Sequence, residues 1–236
     1  MNKGLADNRI VGRSPLVVEM CGPAGAGKTT LLQALDQCHE KIVTGVRLHK
    51  IRYIPFFASN TLFLLPTFLR HYRHSRWFTW RETRSMVYLK AWHHVLDRQV
   101  SNNDMVTVLD HGPIYRLALL RDFGPEITKS QLYERWWDSM LKQWATIMDM
   151  VVWLDAPDVV LLERIHTRSR WHIIKRKSGQ EACEFLGRYR TSYEHIISAL
   201  TAEGGPQVLR FDTDQKSVDQ IVDKVLAALN SQSNEN

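Results

Sequence analysis

The chain has 236 residues, 44% apolar and 24% charged, which suits one large folded core and excludes an intrinsically disordered or low-complexity chain. Its three cysteines, Cys21, Cys38 and Cys183, are widely spaced and fit neither a disulfide framework nor a zinc knuckle. The net charge of +6 is concentrated: Lys41 to Val100 holds eleven Lys/Arg against Glu82 and Asp97, a local +9 that leaves −3 for the remainder and points to an anionic ligand there.

Residues 1–13 and 231–236 are polar and lack apolar periodicity, so flexible ends are expected. The first of these carries Lys3, Arg9 and Arg13 without an apolar h-region; no secretory signal is expected, and the location that follows is cytoplasmic. Leu16 to Cys21 is a short apolar run ended by Gly22-Pro23, the pattern of a buried parallel strand. The next eight residues, Gly22, Pro23, Ala24, Gly25, Ala26, Gly27, Lys28 and Thr29, fit G-x-x-x-x-G-K-[ST], and Leu31, Leu32 and Leu35 then recur at helical spacing. Glycines let a backbone wrap a phosphate with its N–H groups inward, and the following helix presents the positive end of its dipole. Lys28 is then expected on the β- and γ-phosphates of ATP, the Thr29 hydroxyl on Mg²⁺, and Thr30 beside them. No NKxD tetrapeptide occurs, which disfavours a GTPase.

A second strand is expected over Ile42 to Arg47, followed by a helical excursion, residues 48–103, that reads as the acceptor-binding region. Within it Pro55 to Leu69 is strongly apolar but broken by Pro, Ser and Asn, too short to span a bilayer. It reads as a packing helix, a greasy acceptor pocket or a membrane-surface contact flanked by Arg52 and Arg70. The mixture of Arg and aromatic side chains from Arg70 to Arg84 suits a planar, anionic acceptor and, alternatively, single-stranded nucleic acid. Arg47, Arg81 and Arg84 are the candidates to anchor an acceptor phosphate; for a hydroxyl acceptor, Asp110 or Glu82 is the candidate proton acceptor. The histidine pairs His71/His74 and His93/His94 lack acidic or Cys companions, so no metal site is expected at them.

Met105 to Asp110 ends a third strand in a carboxylate, placed to orient Mg²⁺ or its water; a turn Asp before His111-Gly112-Pro113 is the alternative reading. Glu126 to Met148 has helical spacing, and Met150 to Asp155 and Gln207 to Asp212 complete five strands. The βα alternation predicts an α/β, three-layer fold over residues 1–236, a five-stranded parallel sheet with helices on both faces, and the glycine motif after its first strand makes it a P-loop NTPase fold. Arg164, Arg168 and Arg170 follow the fourth strand, the first two four apart on one helix face, and are candidates to stabilise transferring phosphoryl charge; a solvated basic helix face is the alternative.

Gly22 to Thr30, Asp110-His111-Gly112, Asp149 to Pro157 leading through Leu161 to Arg164, the arginines that follow, Tyr189-Arg190 to Leu200, and Arg210 to Thr213 with Ser217 to Leu229 together resemble the thymidylate kinase-like branch of P-loop nucleotide and nucleoside kinases. The resemblance covers most of the chain except Lys41 to Val100. It implies an ATP-dependent, Mg²⁺-requiring phosphotransferase with a mobile helical lid at 164–182 that carries Arg164, Arg168 and Arg170, and the adenine near the last strand. Two positions depart from the pattern: Ala24 stands where thymidylate kinases carry a P-loop Asp, and His111 where they carry Arg. Arg116, one helical turn beyond Gly112, is spaced to restore that charge at the acceptor. The expected partner is a small phosphoryl acceptor; nucleic acid and a second copy of the chain are the alternatives. A P-loop regulator or nucleic-acid-dependent ATPase, and a kinase for a sugar, drug or lipid-like acceptor, remain as competing functions.

Overall fold

The computed structural model describes residues 16–38, 41–46, 50–71, 76–97, 105–202 and 204–235. Five parallel strands, β1 (Leu16–Cys21), β2 (Ile42–Thr44), β3 (Val106–Asp110), β4 (Met150–Asp155) and β5 (Gln207–Asp212), form one sheet in the order β2-β3-β1-β4-β5. β1 is central, with Met20 beside Asp110 of β3 and Cys21 beside Trp153 of β4. The chain leaves β1 in one direction for β2 and β3 and returns across it to β4 and β5, so a switch point opens at the carboxyl end of β1.

Alternation along the strands divides the core into two layers. Val17, Cys21, Leu109, Val151 and Trp153 pack into one cluster with α3 (Trp80–Leu96), α4 (Pro113–Phe123), α5 (Gln131–Ala145) and α7 (Gly179–Ala202). Val18, Met20, Val108, Val152 and Leu154 face the other way, into a cluster with α1 (Lys28–Cys38), α6 (Asp158–Thr167) and α8 (Val218–Glu235). The expected three-layer architecture is therefore present. α2 (Ile54–His71) lies between β2 and α3 in the chain.

Three local expectations are corrected. The second strand stops at Thr44, because Gly45 turns the backbone with φ +74°. Glu126 to Met148 is not one helix: a short 3-10 turn, Glu126–Lys129, precedes Ser130, whose hydroxyl accepts the Tyr133 N–H and starts α5 afresh. The lid is not a continuous helix either. α6 ends at Thr167, Arg168 is extended with ψ 145°, and only Ile173–Arg176 is a 3-10 turn before α7.

Candidate active site

Gly22 to Gly27 carries the chain from β1 into α1 beneath β4 and α6. Gly22 has φ +141°, and a Cβ there would lie 2.0 Å from the Leu154 carbonyl oxygen; at Gly25, φ +87°, one would lie 2.8 Å from that of Leu161. Only glycine meets both the dihedral and the close approach. Lys28 Nζ donates to the carbonyls of Gly22 and Pro23, each at 2.8 Å, so the ammonium is held within its own loop. Burial lowers its pKa, opposed by the Asp110 carboxylate.

Asp110 ends β3 facing this loop. Burial pushes its pKa up, but contact with His111 and the charge of Lys28 outweigh that, and it titrates below its ordinary value. Its Oδ1 is buried without a well-formed hydrogen bond, 3.1 Å from His111 Nδ1. His111 itself takes a left-handed φ of +56° and sets its ring edge-on to Tyr115, centroids 4.4 Å apart. An ionised, under-coordinated carboxylate and the Thr29 hydroxyl line one cleft; both are hard oxygen donors, so the pair fits Mg²⁺.

Glu19, fully buried in β1, was not singled out by sequence. Gly112 begins α4 without a side-chain cap; instead Glu19 Oε2 accepts the Ile114 N–H at 2.8 Å and Oε1 the Tyr115 N–H at 3.2 Å. A carboxyl group from the adjacent strand thus supplies the acceptors that the first free amides of a helix need. Burial dominates all the same and pushes its pKa up to about 8. The only signal in the sequence is an acid inside an otherwise apolar strand.

These groups open onto a cleft of about 1030 Å³. Its far wall is aromatic: Phe185, Tyr189 and Tyr193 of α7 with Tyr115 of α4. Tyr189 stacks on Phe123 at 4.7 Å and tilts against Phe185 at 5.0 Å, and burial raises its pKa to about 12. Arg81 lies in the cleft and donates to the Tyr115 hydroxyl. Among the described lining residues Asp110 is the one carboxylate, set against Lys28, Arg81, Arg164, Arg168, Arg170 and Lys216.

The three lid arginines all line the cleft but differ in anchorage. Arg164 Nη1 donates to Thr213 Oγ1 at 2.8 Å and Nη2 to the Thr213 carbonyl at 3.0 Å, which ties it to the end of β5. Arg168 does not share its helix face, since the helix has ended; its Nε is buried without a partner, and burial followed by the charge of Arg170 lowers its pKa. Arg170 is exposed. Behind the lid, Arg190 of α7 grips Asp155 at 2.8 and 3.0 Å and Asp158 at 2.5 Å, joining α7 to β4 and α6.

Three expectations about the acceptor end change, and a fourth is not reached. Arg116 does not reach the cleft: it is 8% exposed, lies 4.6 Å from both the Tyr88 and Trp92 ring centroids, and burial draws its pKa down to about 10 against the pull of Glu19. Arg84 lies outside the lining and sits 5.3 Å over Tyr88. Glu82 is committed to structure, closing a capping box with Thr79 and accepting both Arg76 nitrogens at 2.7 and 2.8 Å. Arg47 lies outside the described residues.

No protein-family model and no curated protein matches the chain. Solved structures do. YorR from Bacillus subtilis, in complex with phosphorylated GDP, aligns with a TM-score of 0.52 at 15% identity, over 93% of this chain and 99% of the other. Deoxyadenosine kinase from M. mycoides with bound dCTP gives 0.52 at 15% identity, over 92% and 100%. Thymidylate kinase from Candida albicans gives 0.53 at 16%, over 94% of each. The order of the sheet, the glycine loop after β1 and the likeness to these structures agree, and the chain is built on the P-loop fold of nucleoside and nucleotide kinases.

Proposed function

We propose that this protein is an ATP-dependent small-molecule kinase that moves the γ-phosphoryl group of ATP to a nucleotide or nucleoside-like acceptor. The observation that carries this reading is a single cleft joining the P-loop, with Lys28 and Asp110, to an aromatic wall of Tyr115, Phe185, Tyr189 and Tyr193 that also bears Arg81. One end has the chemistry of a triphosphate site and the other that of a planar acceptor. The nucleotides named for the aligned structures support the same class of ligand.

In this mechanism Lys28 exchanges its two loop carbonyls for the β- and γ-phosphate oxygens. Thr29 and Asp110 would hold Mg²⁺, which when bound would supply charge neutralisation to the phosphates. Arg164, fixed to Thr213, sits with Lys216 at the end of the cleft that receives the nucleoside part of ATP. Arg168 and Arg170 turn toward the phosphates and spread positive charge over the transferring group while the lid excludes water. Six cations face one carboxylate, and that carboxylate is kept ionised beside Lys28. The balance favours an acceptor that is itself a phosphate monoester, which needs no strong base, with Arg81 as its anchor.

Screening nucleosides and nucleoside monophosphates for ATP-dependent phosphorylation tests the reading directly. Lys28→Ala is expected to lower turnover by about 10²- to 10³-fold, as for loss of a key charge-stabilising donor, without changing the melting curve. Turnover undiminished in that variant removes the mechanism.

A further inference from the structure

α2 carries no charged residue from Ile54 to Leu69, and no described residue covers one of its faces. Ile54, Ala58, Leu62, Leu65 and Leu69 follow one another at spacings of three and four, so they form a single stripe along the helix. All five are exposed; Ile54, Leu62 and Leu69 are 61%, 71% and 60% accessible, and Ile51 in the preceding turn is 65%. The opposite face holds Asn60 and Leu64, buried at 3% and 1%. Scattered exposed apolar residues are ordinary, but a contiguous stripe four turns long marks a surface that something covers.

Cations run beside the stripe. Ser59 and Arg70, eleven residues and three turns apart, share one edge of α2; Lys90 of α3 reaches Ser59 Oγ at 3.3 Å, and Arg52 is exposed in the turn before the helix. Acids are nearly missing: α2 and α3 carry one between them, Glu82, which is buried and paired with Arg76. A second copy of the chain seated on this stripe would bring the +9 of Lys41 to Val100 against the same charge, which disfavours self-association. An anionic partner with an apolar interior matches both features at once.

We propose that the exposed face of α2 docks on the surface of an anionic lipid bilayer, with Ile54, Leu62, Leu65 and Leu69 entering the acyl boundary and Arg52, Lys90 and Arg70 at the headgroups. The helix lies in the interface and does not cross it: no helix among the described residues is long and apolar enough to span a membrane. Cations at the edge of an apolar helix face keep their charged heads among phosphates while their stems stay in apolar surroundings. This proposal is independent of the phosphotransfer reading.

Co-sedimentation of the full chain with vesicles of phosphatidylcholine alone, and of phosphatidylcholine mixed with phosphatidylserine, tests it. Binding to the anionic vesicles is expected to be on the order of a hundredfold tighter, from three cations near the surface, and to weaken in high salt. Leu62→Asp with Leu69→Asp is expected to abolish it, and Arg52→Glu with Arg70→Glu to erase the preference for anionic lipid. These positions are solvent-exposed, and unchanged far-UV circular dichroism and melting confirm that each variant is folded. No binding, or equal binding to both vesicle types, overturns the proposal. So does a dimer in light scattering that Leu62→Asp converts to monomer, since a second copy would then be the occupant.

Discussion

The two ends of the cleft are built by different means. At the phosphate end, six consecutive residues and the strand and helix around them make the loop, and the decisive contacts are main-chain: Gly22 against Leu154, Gly25 against Leu161, Lys28 on the carbonyls of Gly22 and Pro23. At the acceptor end, side chains arrive from three helices far apart in sequence, Arg81 from α3, Tyr115 from α4 and Tyr189 from α7. Backbone geometry tolerates almost no substitution but is written locally. Side-chain convergence tolerates variation and is written nowhere in particular.

The sharpest way to break that contrast is Gly22→Ala. The new methyl would meet the Leu154 carbonyl at 2.0 Å in a backbone conformation that L-residues rarely adopt, and the expected cost is about 5 kcal/mol. Chemical denaturation reads this; a variant as stable as the parent with intact ATP affinity would mean the loop is not confined by β4.

Glu19 is buried beneath the start of α4, and its effect is smaller and depends on pH. Its folded pKa, about 8, stands above the ordinary value of 4.5, so between those limits the folded protein holds the proton more tightly than the unfolded chain. Stability is therefore full below the lower value and declines as pH rises to the upper, by an amount on the order of 4 kcal/mol. Melting temperatures across this range should fall in the parent and stay flatter in Glu19→Gln. An identical slope in both proteins would assign the pH dependence to other groups.

The smallest effects separate the acceptor arginines. Arg81→Ala is expected to raise KM for the acceptor roughly tenfold, the loss of one charge-assisted contact, whereas Arg84→Ala, outside the cleft, should change it by less than about twofold. Equal effects would show that the acceptor reaches beyond the cleft wall.

What sequence reading recovered follows the same division. The bounds of β1, β4 and β5, the existence of α1 and the position of the glycine loop come from short-range regularities: apolar runs, helical spacing, a fixed motif. Its errors arose where spacing stood in for packing. Arg164 and Arg168 are four apart, yet the helix stops between them. Arg116 has the spacing to reach an acceptor, but Tyr88 and Trp92, brought by α3, enclose it. Glu82 looked like a free acid until Thr79 and Arg76 claimed it. The place of Tyr189 in the cleft wall and the cap supplied by Glu19 leave no mark in the sequence, because their partners, Phe123 and the Ile114 amide, are brought to them only by the folded sheet and its helices.

The resting place of the Lys28 ammonium bears on how quickly the loop can engage a ligand. Two carbonyl oxygens solvate the cation without cancelling its charge, so the field it projects into the cleft survives. Under the proposed function, an arriving polyphosphate trades places with neutral dipoles that already surround the ammonium. Association of this kind is a ligand swap at a preformed socket, with its speed set by diffusion and salt in place of a search through loop shapes.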